Sequence, residues 1–427
     1  MVAEKNVKSG SPRYRWWMLF QGSLVEGFVA GAAWTIMPVL FQEIAQPRDV
    51  GLGLTLVQLG VIWGMMPLAL ALLSIPAGIV ADRYGVRWII GFGVILAAVA
   101  GAFRGMSGSF TSLLIGMFLF GVGYAAIGTN IPKFVGTWFQ SRELGMANGI
   151  VFSAYGIGAA FAIQFGGSLF SAAVGGWRNV LYILGLISLA VGILWLTTVQ
   201  SPKANEAGNG ATRGVAGSQR SLFHGLSVAL QTRDVWLLVV CQMLYLAGNL
   251  GALGYLPMYL VGKGMSKAMA NGYVSIIMYL FVVGATVVPM ISDRLGTRKY
   301  VYVVTIAAAG LALMSVPFAT GPALVAAFVV AGLCSGGYVI PRIIPVEHPR
   351  IGLALTGAAF GIIVSMGFLG GFISPIVGNA IAAKAGGDTA IVLWSACYLL
   401  AAFIFLFVTE THPRRAAKVN QVGPPIL

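Results

Sequence analysis

The hydrophobic positions of this 427-residue chain fall in long unbroken runs, and the polar positions collect between them. A helix needs about 20 apolar residues, at about 1.5 Å rise each, to cross a bilayer. Twelve runs approach or exceed that length: 16–41, 55–80, 88–106, 110–132, 145–172, 179–199, 234–261, 270–291, 300–319, 322–341, 353–382 and 389–409. Continuous runs predict helices, because the strands of a membrane barrel would alternate apolar and polar positions. The first run follows a basic start, Lys5, Lys8, Arg13 and Arg15, which is similar to the head of a secretion signal. It continues far beyond the apolar core of such a signal, so it reads as a retained first span.

The longest polar connection, 200–233, contains KANEAGNGATRGVAGSQR, a Gly/Ala/Ser/Asn-rich stretch poorly suited to a packed core. It separates six spans from six spans. The pattern therefore predicts an all-α membrane protein of twelve transmembrane helices, arranged as two pseudo-symmetric six-helix bundles. The expected divisions are an N-terminal bundle over 1–200, a cytoplasmic linker over 201–233, and a C-terminal bundle over 234–427 that ends in a short cytoplasmic tail.

Composition agrees. The chain is 58% hydrophobic and only 9% charged, with a mean hydropathy of +0.88. That is too few charges to cover a soluble surface. A net charge of +14 raises the question of a nucleic-acid partner. The placement of the charges answers it. With the N-terminus in the cytoplasm, 20 of the 26 Lys and Arg fall in cytoplasmic segments. The remaining six, Arg48, Arg104, Arg178, Lys263, Lys267 and Lys384, fall on the other side. The basic excess is topological, which excludes nucleic acid and leaves the lipid bilayer as the surrounding partner. Both termini are expected in the cytoplasm. Short loops and compact length point to a bacterial inner membrane, and a monomer is expected.

One charged block is written twice. GIVADRYGVRW begins at Gly78 and PMISDRLGTRK at Pro289. Asp82, Arg83, Gly85 and Arg87 correspond to Asp293, Arg294, Gly296 and Arg298 at a constant offset of 211 residues. Each copy follows the second span of its half, which indicates a six-span repeat in parallel orientation with a substrate site between the halves. The glycines allow a tight turn between helices. The aspartates end their helices where they can accept hydrogen bonds from a neighbouring helix N-terminus or pair with arginine. Such contacts can latch one face shut and break when it opens.

The block resembles the loop 2–3 signature of the major facilitator superfamily, G-x-x-x-D-R-x-G-x-[RK]; in the second copy Pro289 replaces the leading glycine. The twelve spans and the central linker fit as well, so the resemblance covers nearly the whole chain. It implies a secondary transporter working by alternating access, with Gly78 and the paired loop residues as gating elements. PKFVGTWFQSRELGMANGI, 132–150, is similar to the span 4–5 region of the branch that holds organic-anion and nitrate/nitrite carriers. The chain also departs from several relatives. Span 8 lacks the arginine of oxalate/formate and monocarboxylate carriers. Spans 2 and 8 lack the arginines of nitrate carriers. SAYGIGAAF, 153–161, lacks the proline of the drug/proton antiporter signature.

Other chemistry is missing from the sequence. No G-x-x-x-x-G-K-[ST] loop is present for ATP. Cys241, Cys334 and Cys397 lie inside apolar runs, and His224, His348 and His412 make no metal spacing. No nucleophile–base pair appears. An enzyme, a cofactor and a metal site are not expected.

The candidate solute-binding residues follow from polarity at depth. Glu26 is the one acid deep in a span, near the middle of the first, where a carboxyl could load and release a proton. Asn-Ile-Pro-Lys and Val-Ile-Pro-Arg place Lys133 and Arg342 at the ends of spans 4 and 10, at equivalent points of the two halves. Proline frees a backbone carbonyl there and can bend the helix, so the two cations could face a central cavity. Lining groups are expected among Trp34, Trp63, Tyr124, Asn130, Tyr155, Gln164, Tyr245, Asn249, Tyr279 and Tyr338. Gly121, Gly123, Gly367, Gly370 and Gly371 read as close helix contacts. The expected substrate is a small organic anion moved with protons. A cation or zwitterion held by Glu26 and aromatic rings is the alternative. A sensor or assembly protein that moves nothing is the alternative from another class.

Overall fold

The structure is a computed structural model that describes backbone over 12–139, 141–200 and 226–411, and side chains over 14–139, 143–200, 226–352 and 355–411. Most of the expected linker, Lys5 and Lys8 of the N-terminus, the basic residues of the C-terminal tail, His224 and His412 lie outside the described residues.

Eleven helices are long and apolar enough to cross a membrane, and a twelfth is shorter. They are α1 (Tyr14–Ile44), α2 (Leu56–Tyr84), α3 (Val86–Met106), α4 (Phe110–Trp138), α5 (Glu143–Val174), α6 (Trp177–Thr198), α7 (Arg233–Gly262), α8 (Lys267–Leu295), α9 (Lys299–Ser315), α10 (Gly321–Glu347), α11 (Leu355–Ala385) and α12 (Gly387–Phe405). The sequence placed all twelve within a few residues. Helix α9 stops early because Pro317 follows it and cannot continue the hydrogen-bond ladder. Starts are set by side-chain caps: Thr55 and Gln58 form a reciprocal box on α2, and Ser109 and Ser112 do so on α4.

Helices α1–α6 form one bundle and α7–α12 the other. They meet through α2 with α11, α5 with α8, and α1 with α7. The small residues allow this closeness, as expected. A Cβ on Gly123 would lie 2.6 Å from the Gly93 carbonyl oxygen, and one on Gly370 would lie 2.1 Å from that of Met243. Between the bundles, a Cβ on Gly60 would sit 2.4 Å from the Pro375 oxygen. In a lipid surround, such close backbone packing drives helix association.

The cross-bundle bonds among the described residues lie toward one end, opposite the twin loops. Gln42 donates to the Pro257 carbonyl at 3.1 Å, Trp63 to that of Leu250 at 2.8 Å, and Asn379 to that of Leu56 at 2.8 Å. Tyr279 donates to Gln164 at 3.0 Å, and Lys267 faces Glu43 at 3.8 Å. The molecule is therefore fastened at the end away from the twin loops.

Four helices depart from regular winding. Helix α1 contains a wide π-turn over Val25–Ala32, and α5 contains one over Gly166–Phe170. Helix α10 tightens to 3-10 over Gly336–Val339, and α4 breaks at Thr129 and Asn130. The sequence read Ile-Pro as the end of spans 4 and 10. Instead Pro132 and Pro341 sit at the start of short helices, Ile131–Trp138 and Ile340–Glu347, that prolong those spans. Proline suits a first turn because its missing N–H has no partner to lose there.

Candidate functional site

Glu26 lies in the first turn of the wide segment of α1 and is fully buried. Its Oε2 accepts a hydrogen bond from the Tyr124 hydroxyl at 3.2 Å. Its Oε1 has no partner among the described residues. Tyr155 of α5 and Tyr338 of α10 lie within electrostatic reach of Tyr124. Tyr338 belongs to the other bundle, so the cluster spans the boundary between the two.

On that far side, the Arg342 guanidinium lies over the Tyr338 ring, 4.2 Å from its centre, and its Nη2 donates to the Tyr338 hydroxyl. Phe360 flanks the guanidinium at 5.9 Å. Tyr245 stacks on Tyr338 at 4.7 Å. Arg342 has no carboxylate within ion-pair distance among the described residues, and its buried Nε is unpartnered. The result is a carboxyl with a free oxygen on one side and a guanidinium with a free N–H on the other. Phenol rings lie between them. Half-buried Tyr124, Tyr155, Tyr338 and Arg342 come from three helices in both bundles, which places the cluster in the cleft between bundles.

The other expected liners are placed elsewhere. Trp34 stacks on Trp63 at 5.1 Å, and Gln164 meets Tyr279, all at the fastened end. Asn249 donates to Tyr398 at 3.1 Å within the C-terminal bundle. Asn130 is spent on the break in α4, where its Nδ2 donates to the Ala126 carbonyl at 2.9 Å.

Lys133 does not join Arg342. Its Nζ donates to Asp82 at 2.7 Å and to the Gly78 carbonyl at 3.1 Å. A Cβ on Gly78 would sit 3.6 Å from Nζ, an ordinary contact, so the approach does not itself demand glycine. Gly85 turns the loop at φ +91 and Gly296 at φ +68, the left-handed region in which glycine is free of strain. The twin loops are nonetheless bonded differently. Arg87 donates to the Leu196 carbonyl at 2.6 Å, and Arg83 lies near the Tyr84 ring. Arg298, the counterpart of Arg87, pairs with Asp293 at 2.6 Å and with Glu347 at 2.8 Å. Glu410 caps the start of α9, accepting from the Arg298 N–H at 2.9 Å and from the Thr297 hydroxyl. Arg294 is exposed. Burial disfavours the Arg298 charge, but hydrogen bonds and charge from Glu347 and Asp293 outweigh it and raise Arg298 above the usual arginine range.

Sequence reasoning missed Glu347 and Glu410, because Arg298 lies 49 and 112 residues away from them in the chain. It misplaced Arg104. Counted among the boundary cations, Arg104 is 0% exposed inside the N-terminal bundle. Its flanking small residues, Gly101, Ala102 and Gly105, were the available signal.

A sequence model described as Major Facilitator Superfamily matches residues 19–346. The chain is 25% identical over 383 residues to the probable nitrate/nitrite antiporter NarK1 of Thermus thermophilus, covering 81% of this chain and 80% of that one. It is 26% identical over 263 residues to the probable sulfoacetate transporter SauU of Cupriavidus necator, covering 58% of this chain and 59% of the relative. The match to the probable L-galactonate transporter of Escherichia coli, 27% identical, spans 34% of this chain and only 31% of the relative. In fold, it is similar to a bacterial homologue of the human lysosomal transporter Spinster, captured inward-facing and unoccupied. The TM-score there is 0.77, with 17% identity, over 93% of this chain and 98% of the other.

Proposed function

Because the chain belongs to the major facilitator superfamily, it is a multi-pass membrane transporter, and we propose that it moves a small organic anion together with protons. The single observation behind this reading is the pairing of Glu26 and Arg342 on one tyrosine cluster between the bundles. An anion held by Arg342 would place its charge within reach of the phenols that also surround Glu26. A protonated Glu26 would leave the cleft net positive and favour loading. An ionised Glu26 would lower that attraction and favour release. Water exclusion from the cleft would strengthen both interactions.

The transport cycle we propose is alternating access. The fastened end would face outward and the twin loops would face the cytoplasm, as the Lys and Arg distribution suggests. Solute would then reach the cluster from the twin-loop side. Names among the relatives, nitrate/nitrite and sulfoacetate, favour an anion. A bacterial inner membrane, cytoplasmic termini and a monomeric unit complete the proposal.

Purified protein in proteoliposomes tests it. Labelled sulfoacetate, galactonate and nitrate would be offered with and without an imposed pH gradient. Accumulation of one anion that grows with the gradient is expected. Flux of a cation or zwitterion alone would favour the Glu26 cage. Absence of any flux would favour a sensor or assembly role.

A further inference from the structure

Arg104 of α3 is a fully buried guanidinium, and no carboxylate lies within ion-pair distance of it among the described residues. Its Nη2 donates to the Ala33 carbonyl at 2.9 Å, its Nη1 contacts the Met117 sulfur at 3.4 Å, and its carbon lies 4.2 Å from the centre of the Phe120 ring. Space has been cleared for it. A Cβ on Gly116 would come within 2.9 Å of its Cγ. An apolar residue in such a place usually gives a fold at least as stable, since a buried charge without a counter-ion is expensive. The arginine therefore calls for a reason other than stability.

Ala33 supplies the reason. It is the residue at which the wide turn Val25–Ala32 closes, and Glu26 sits in the first turn of that segment. A π-turn inserts one extra residue into the winding, so it sets the angle at which everything before it faces everything after it. Removing it would rotate Glu26 by about a quarter turn relative to α2 and α3, since each residue advances a helix by about 1/3.6 of a turn. The turn is clamped on its opposite side by α5. A Cβ on Gly31 would lie 2.5 Å from the Tyr155 carbonyl oxygen, and the Thr35 hydroxyl takes up the Gly31 carbonyl at 2.5 Å. On the α3 side, Arg104 is the polar contact to the turn's exit.

We infer that Arg104 is a positioning residue that locks the wide turn of α1 and so holds Glu26 in register with Tyr124. Its role rests on the reading of Glu26 as the proton site, but the turn it locks is measurable without any solute. Arginine suits the task because its flat, weakly hydrated guanidinium can donate to Ala33 while lying over a ring, which lysine does less well.

The experiment compares Arg104→Met, Arg104→Gln and Arg104→Lys in full-length protein in lipid nanodiscs. Three signals would be read: thermal unfolding, hydrogen–deuterium exchange of peptides spanning 25–37, and the infrared carboxyl band assigned to Glu26 by its loss in Glu26→Gln. Arg104→Met is expected to unfold no earlier than the parent. Its exchange over 25–37 should rise at least tenfold, and the pH at which the Glu26 band vanishes should move by about one unit or more. Arg104→Lys should fall between. Unchanged exchange and an unmoved carboxyl band in Arg104→Met would overturn the inference. So would failure of all three variants to fold, which would make Arg104 a folding residue. Failure of the proton reading looks different: Glu26→Gln would keep pH-driven uptake while the exchange result for Arg104 stood.

Discussion

Lys133 and Asp82 face each other at 2.7 Å across the gap between α4 and the end of α2, each about 40% exposed. An ion pair that open to solvent contributes about 0.2–1 kcal/mol. It is strong enough to bias a conformation and weak enough to break in every cycle. Asp82→Asn is expected to leave thermal unfolding within about 1 kcal/mol of the parent while slowing turnover at least fivefold, an effect of about 1 kcal/mol on the relevant state. Exchanging the two charges, Asp82→Lys with Lys133→Asp, should restore much of the rate. Normal turnover in purified Asp82→Asn would show that the pair does not gate.

Gly85 tests the backbone side of the same latch. At φ +91 a side chain is strained, by about 1–2 kcal/mol on general grounds. Gly85→Val should therefore lower both stability and rate. Gly85→Ala should do so less, and differential scanning fluorimetry beside uptake separates the two effects.

Glu26→Gln should abolish dependence on a pH gradient. Exchange of solute between two equal pools should survive, because exchange does not require the carboxyl to give up its proton. Uptake and exchange measured in the same vesicles decide it. Accumulation that still follows the gradient would assign coupling to another group.

Arg342→Gln should weaken anion binding tenfold or more, about 1.4 kcal/mol, as read by titration calorimetry. Arg342→Lys should recover part of the loss, because lysine offers charge without the two-pronged contact. Lys133→Gln, which the structure places at Asp82, should change rate and leave affinity within about twofold, or about 0.4 kcal/mol. Equal affinity in Arg342→Gln would sink the anion reading.

Arg298→Ala should behave unlike the Asp82 variants. It strips the cation from Glu347, whose side chain is only 15% exposed and keeps just the Thr411 hydroxyl among the described residues, and unpaired buried charges destabilise by about 3–5 kcal/mol. A large fall in unfolding temperature, with little change in the rate of whatever folds, is the expected pattern. A stability equal to that of Asp82→Asn would remove the contrast drawn between the two loops.

The fold was legible because lipid allows only one reading of apolar runs this long: each must satisfy its own backbone, so each is a helix. The twin loops were legible because offset 211 repeats both glycine and charge. The site was legible in part. Glu26 stood out as the one acid deep in a span, Arg342 as a cation at the end of span 10, and Tyr124 and Tyr338 among the expected lining groups. What the chain could not announce was direction around each helix. A π-turn in α1 and a 3-10 turn in α10 rotate the residues beyond them, so a wheel drawn from the sequence misdirects Trp34 in the one and Arg342 in the other. Lys133 and Arg342 looked alike because both follow Ile-Pro. Their fates differ because α2 offers Asp82 to one, while Tyr338 offers a ring to the other.

The unequal bonding of the twin loops gives the molecule a stator and a rotor. Arg298, Glu347 and Glu410 rivet the C-terminal half, while the exposed Asp82–Lys133 pair acts as the adjustable bearing of the other. Mobile ions screen such an open pair over a distance of about 8 Å at physiological strength, yet barely reach the rivets. The salinity bathing that face thus becomes a throttle: loosening the bearing without loosening the frame.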